Sequence, residues 1–99
     1  ATAPITAKVE AEARTLTEVQ QAVEAGADLV MLDNMNVAQM RQAVTWVDGR
    51  IPLEASGGVT LDTVRDIAET GVTFVSVGAL THSVRALDLA FHLDPSADA

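Results

Sequence analysis

Glu12, Asp33, Ser56 and Gly78 stand 21, 23 and 22 residues apart, and each falls where an apolar or alternating segment stops. Asp33-Asn34 follows the apolar run Val30-Met31-Leu32. A carboxylate there can accept hydrogen bonds from two vicinal ribose hydroxyls, or hold Mg²⁺ through water. The competing explanation is helix capping by Asn34 or Asn36. Capping accounts well for Asn36 and less well for an Asp directly after an apolar run, so the functional reading is favoured for Asp33. Glu10 and Glu12 project to one strand face by the two-residue period, and Lys8 shares it. Glu12 is nearer the strand's end and is the better site candidate; a half-exposed edge strand is the alternative. Glu54 raises the same question beneath Ser56, where it is expected to point inward as support.

Ser56-Gly57-Gly58 lies between a strand and a helix that Thr60 is expected to cap. Two glycines let backbone N–H groups approach an anion closely, and a helix N-terminus adds its dipole. The segment reads either as a phosphate cradle or as an ordinary tight turn. Gly78-Ala79-Leu80-Thr81-His82-Ser83 follows the next strand. Phosphate sites in βα barrels are often built from the loops after two adjacent late strands plus a short helix, which favours the cradle. His82 could donate to a phosphate oxygen or serve in acid–base chemistry; it could equally bond locally at a helix start.

The elements that must position these residues repeat with the same spacing, one βα unit per step. Strands are expected at 8–13, 28–32, 51–55 and 74–77. Intervening helices begin at Thr15 or Thr17, at Asn36 and at Thr60, and end at Gly26, near Gly49 and at Gly71. Leu61, Val64, Ile67 and Ala68 are assigned inward on the third helix. A short helix is expected from Ser83, an apolar element at 87–93, a lead-in at 1–6 and a tail at 94–99. The helix–Gly–strand segment around Gly26 recurs around Gly71, 45 residues later. Strands alternating with helices imply parallel pairing through right-handed crossovers. The fold class is therefore α/β: four parallel strands with alternating helices, about half of an incomplete TIM-like βα barrel, with its site at the carboxyl ends of the strands. A doubly wound sheet would place its site at the same ends.

Apolar residues make up 48% of the 99-residue chain and aromatics 3%, so the core must come from aliphatic side chains and Met. Met31, Met35 and Met40 read as core, and Trp46 as packing against a neighbouring helix or domain. The net charge of −8 and six scattered cations offer no basic stripe for a nucleic acid. No apolar run reaches membrane-spanning length, and there is no cysteine for disulfides or thiolate metal sites. A cytoplasmic location is expected.

Val30-Met31-Leu32-Asp33-Asn34-Met35, Leu53-Glu54-Ala55-Ser56-Gly57-Gly58-Val59, Glu69-Thr70-Gly71-Val72 and Ser76-Val77-Gly78-Ala79-Leu80-Thr81-His82-Ser83 together resemble the C-terminal part of the quinolinate phosphoribosyltransferase family. Lys8-Val9-Glu10-Ala11-Glu12 resembles that family's Glu-x-Glu strand, and the likeness runs over roughly residues 8–93. The resemblance implies conversion of quinolinate and 5-phosphoribosyl 1-diphosphate to nicotinate mononucleotide, diphosphate and CO₂, with Mg²⁺. It implies an N-terminal α/β sandwich and early barrel strands preceding residues 1–99, and a homodimer or hexamer. Carried over, Glu12 and Asp33 bind the ribose hydroxyls and act as catalytic residues, with Asp33 indirectly linked to the metal. Ser56, Gly57 and Gly58 bind the 5′-phosphate; Val77, Gly78 and Ala79 form a second phosphate loop with His82 nearby.

The chain departs from the family in two respects. Ala11 and Ala13 replace larger β-branched residues, which is expected to weaken that strand's packing. The family's Arg, Lys and His cluster for the quinolinate carboxylates has no counterpart here. A dicarboxylate needs convergent cations, and no pair among the six is placed beside Asp33 and Ser56 by the sequence. The 99 residues alone are therefore expected to be inactive. A different sugar-phosphate barrel enzyme and an inactive half-barrel scaffold are the alternatives; the Leu32-Asp33-Asn34 strand end argues against the first.

Overall fold

A computed structural model describes residues 8–78 and 80–85. In chain order the elements are β1 (Glu10–Ala13), α1 (Leu16–Glu24), β2 (Leu29–Asp33), α2 (Val37–Val47), β3 (Leu53–Ser56), α3 (Val64–Ala68), β4 (Phe74–Val77) and β5 (Leu80–Ser83). The sheet order is β1-β2-β3-β4-β5. The first four strands are parallel, and β5 returns antiparallel to β4.

Local chemistry sets the helix boundaries. The Thr15 hydroxyl accepts from the Glu18 amide, and Asn36 and Gln39 form a reciprocal capping box at the start of α2. Gly26 and Gly71 both have positive φ, at 89° and 97°, so the internal repeat is also a repeat of backbone conformation at the helix-to-strand turn.

Side chains alternate across the sheet. Ala13, Val30, Leu32, Leu53, Ala55 and Val75 are buried in one core cluster with Val19, Met40, Ala43, Val47, Val64 and Ile67 from the helices. Glu12, Met31, Asp33, Glu54, Ser56, Phe74 and Ser76 take the opposite face and are half-buried or exposed. The helices α1, α2 and α3 thus cover one face. Sequential parallel strands with right-handed crossovers require this, whereas a doubly wound sheet must reverse strand order to clothe both faces. The strand order and one-sided helices are those of a barrel wall.

Leu32 has 0% exposure at the centre of this layer. Its replacement by Ala is expected to cost about 2–5 kcal/mol, because the lost transfer energy is compounded by a cavity. Urea unfolding measures this, and a cost below about 1 kcal/mol would contradict the packing.

Three expectations are corrected. Among the described residues the sheet has five strands rather than four, because the chain turns back at Gly78, with φ 62°, and Val77 pairs with Leu80. Positive φ at the first loop position is what such tight hairpins demand. The segment 80–83 is accordingly a strand and not an open loop, and Ser83 closes that strand. Next, α3 does not start at Thr60: the Thr60 amide donates to Thr63 Oγ1 at 3.0 Å, residues 61–63 form a turn, and Leu61 is 82% exposed rather than inward. Finally, Met31 lies on the open face, while Met35 and Met40 are core as expected. Trp46 packs against the core cluster, with the Arg50 guanidinium 4.2 Å from its ring centroid. The expectations for 1–6, 87–93 and 94–99 lie outside the described residues.

Candidate functional site at the strand ends

The register brings the strand-end residues into one row. Asp33 pairs with Ser56, and continuing the β3–β4 register by one step sets Ser56 beside Ser76, which pairs with Thr81. The Asn34 amide donates to the Ser56 carbonyl at 2.8 Å, joining the β2 and β3 ends beyond the regular strands. Asn34 has φ 58°, a left-handed conformation that Asn tolerates better than most side chains. This bend lays Asp33 and Asn34 against the glycine turn. A Cβ on Gly57 would sit 2.8 Å from Asp33 Oδ1 and 3.2 Å from the Asn34 nitrogen; one on Gly58 would sit 3.1 Å from Asn34 Oδ1. Gly57 thus leaves the space that the Asp33 carboxylate and the Asn34 backbone occupy, and Gly58 leaves space for the Asn34 side chain.

Glu12 occupies the row below, opposite Met31, with Glu54 on that strand's far side. Glu54 accepts from the Ser76 hydroxyl, and Ser76 Oγ lies 2.9 Å from Thr81 Oγ1. The β5 hairpin therefore completes a polar network whose sequence signal was the hydroxyl pair Ser76 and Thr81 flanking Gly78. His82 does not join it. It pairs with Val75 and so projects to the face opposite Ser76 and Thr81. Gly78 follows β4 as the first residue of the turn, and Ala79 lies outside the described residues. The helix-dipole contribution expected at Ser56-Gly57-Gly58 is withdrawn, since α3 is five residues long and starts only at Val64.

One cation reaches the row that sequence reasoning left without any. Arg14 Nε donates to Asp33 Oδ2 at 3.1 Å. Extending the Glu10–Glu12 alternation by one step gives its face, and the β1–β2 register gives its partner. Among the described residues no group of three or more His, Cys, Asp or Glu is arranged to hold a metal ion. A groove of about 470 Å³ lined by Leu16, Arg41, Gln42, Thr45 and Trp46 lies on the helix side and shares no residue with the strand-end set. No helix among the described residues is long and apolar enough to cross a membrane.

A mostly parallel sheet with helices on one face, and with a carboxylate and a glycine turn meeting at its strand ends, defines a segment of a βα-barrel protein with a polar mouth. Residues 1–92 match the family described as quinolinate phosphoribosyl transferase, C-terminal domain, and the chain belongs to that family. It is 46% identical over 101 residues to the nicotinate-nucleotide pyrophosphorylase [carboxylating], chloroplastic, of Oryza sativa subsp. japonica, covering 87% of this chain and 27% of that one. It is 42% identical over 94 residues to the Rattus norvegicus nicotinate-nucleotide pyrophosphorylase [carboxylating], covering 92% and 31%. The nicotinate-nucleotide pyrophosphorylase structure from Francisella tularensis superimposes with a TM-score of 0.68 at 40% identity, over 76% of this chain and 28% of that one. The chain thus spans less than a third of the length of these relatives.

Proposed function

We propose that the protein carrying this segment is a carboxylating nicotinate-nucleotide diphosphorylase. It transfers a pentosyl group in NAD biosynthesis, converting quinolinate and 5-phosphoribosyl 1-diphosphate to nicotinate mononucleotide, diphosphate and CO₂. Residues 1–99 supply the phosphoribosyl half of its site. The observation that carries this reading is the close approach of the Asp33 carboxylate to Gly57, where a Cβ would come within 2.8 Å of Oδ1, which sets a hydroxyl acceptor beside an exposed glycine turn. Asp33 and Glu12 accept from the ribose hydroxyls. Ser56, Gly57 and Gly58 present backbone amides to the 5′-phosphate, and Gly78 at the next strand end is a second point of close backbone approach. Two carboxylates on one face are hard oxygen donors that suit Mg²⁺ entering with the substrate diphosphate. Asp33 and Glu12 would face that ion directly or through water, and it would assist departure of diphosphate. Decarboxylation requires the quinolinate carboxylates to be held by cations from the preceding part of the protein.

The full-length protein is proposed to act as a homodimer or hexamer in the cytoplasm, though plant relatives carry chloroplastic and mitochondrial designations. Incubated with both substrates and Mg²⁺, it is expected to release nicotinate mononucleotide, followed by chromatography, whereas residues 1–99 alone yield none. Product from the segment alone would overturn the half-site assignment, and none from the folded full-length protein would overturn the activity.

A further inference from the structure

The Arg14–Asp33 pair is built in by the local fold. Ala13 is buried on the helix face, so strand alternation sends Arg14 to the face of Glu12. The β1–β2 register pairs Ala13 with Leu32, which sets Arg14 opposite Asp33. The backbone there is anchored: the Arg14 amide donates to Glu18 Oε1 at 2.7 Å, while the Glu18 amide donates to Thr15 Oγ1 at 3.2 Å. Arg14 Nε then donates to Asp33 Oδ2, while Oδ1 lies beside Gly57, within 2.8 Å of where a Cβ would stand. One carboxylate oxygen is held before any ligand arrives, and the other stays open to a donor.

We infer that Arg14 is a positioning residue for the phosphoribosyl substrate, fixing the Asp33 carboxylate in the orientation that accepts the ribose hydroxyls. The inference rests on the ribose reading of Asp33 given above. The side chains of Arg14 and Asp33 are 74% and 26% exposed, so the pair adds little to fold stability. Its effect falls on binding, where a pre-oriented acceptor spares the cost of ordering it. The guanidinium charge also offsets part of the carboxylate's field, so removing it does not weaken stabilisation of positive charge developing on the ribose during transfer. The consequence is a KM effect without a matching kcat effect.

The test uses the full-length enzyme. Arg14→Ala is expected to raise KM for phosphoribosyl diphosphate about tenfold, the scale of one charge-assisted hydrogen bond, with kcat held within about twofold. KM for quinolinate stays unchanged, and the melting temperature stays within about 2 °C. Arg14→Lys, which keeps the charge without the planar fork, restores part of the loss. In an Asp33→Asn background, Arg14→Ala adds nothing further, because there is no carboxylate left to orient. An unchanged KM for phosphoribosyl diphosphate, an equal rise for quinolinate, or an undiminished effect in Asp33→Asn overturns the positioning role. Should Arg14→Ala fail to fold, the Arg14→Lys comparison in both backgrounds decides the same question. If Asp33→Asn leaves that KM unchanged, the ribose reading itself fails; if Asp33→Asn raises it and Arg14→Ala does not, only the positioning role fails.

Discussion

Asp33→Ala in the full-length enzyme is expected to lower kcat/KM for phosphoribosyl diphosphate by about 10²- to 10³-fold, with little change in stability. The activity estimate follows from the contacts proposed for the carboxylate. It accepts from two hydroxyls, and each hydrogen bond to a charged group contributes about 1.5–3 kcal/mol when its partner is desolvated. Those bonds are made in the bound complex and strengthen as positive charge develops on the ribose, so both KM and kcat respond. The stability estimate follows from the surroundings. Asp33 is part-exposed at a strand end, its cation is mostly solvated, and loss of such a pair costs about 0–1 kcal/mol. Initial rates at varied phosphoribosyl diphosphate, with a thermal melt beside them, separate the two. A loss below about tenfold in a normally folded variant would remove Asp33 from the ribose site. Asp33→Asn sharpens the point, since it preserves shape and loses the charge; activity close to native in that variant would mean that the side chain only fills space beside Gly57.

How far this site was legible depends on which signals were local. The runs before Asp33 and in residues 74–77, the caps at Thr15 and Asn36, and the glycines at positions 26 and 71 are local features, and each matches an observed boundary. The spacing of one βα unit placed Glu12 and Asp33 at the same strand-end face without any knowledge of pairing. What stayed hidden depended on pairing between segments. The register that sets Arg14 opposite Asp33 is fixed by packing of the two helix-facing rows and is not written in either strand alone. The β5 strand was missed because a Gly-led loop followed by polar residues reads equally as an open loop. The decision in favour of a hairpin comes from Ser76 meeting Thr81 and Glu54 across the sheet. The same pairing turns His82 away from the row, a direction that proximity in sequence could not convey. The late start of α3 reflects competition among hydroxyls, where Thr63 takes the Thr60 amide instead of capping the helix itself.

Gly57→Ala is expected to be the most damaging single methyl addition at the site, and Gly49→Ala is its matched control. Both glycines have φ +78°, so an L-residue at either meets the same backbone penalty, about 1–2 kcal/mol. They differ in surroundings. Nothing lies within 4 Å of a Cβ at Gly49, whereas at Gly57 it would meet Asp33 Oδ1 at 2.8 Å and the Asn34 nitrogen at 3.2 Å. The carboxylate end can swing aside only by giving up its Arg14 bond, and the Asn34 backbone cannot follow, because its amide is committed to Ser56. Gly57→Ala should therefore cost about 1 kcal/mol more than Gly49→Ala in chemical denaturation, within the range for overpacking. It should also cut kcat/KM for phosphoribosyl diphosphate nearly as far as Asp33→Ala does, because it displaces the same carboxylate and narrows the approach to the amides. Gly49→Ala should leave the kinetics untouched. The clash makes one further demand. In an Asp33→Ala background Oδ1 is gone, so the excess cost of Gly57→Ala over Gly49→Ala should shrink to what the Asn34 backbone imposes. An excess that persists in full would mean that the turn and the carboxylate do not press on each other, and the shared ribose-and-phosphate mouth would lose its structural basis.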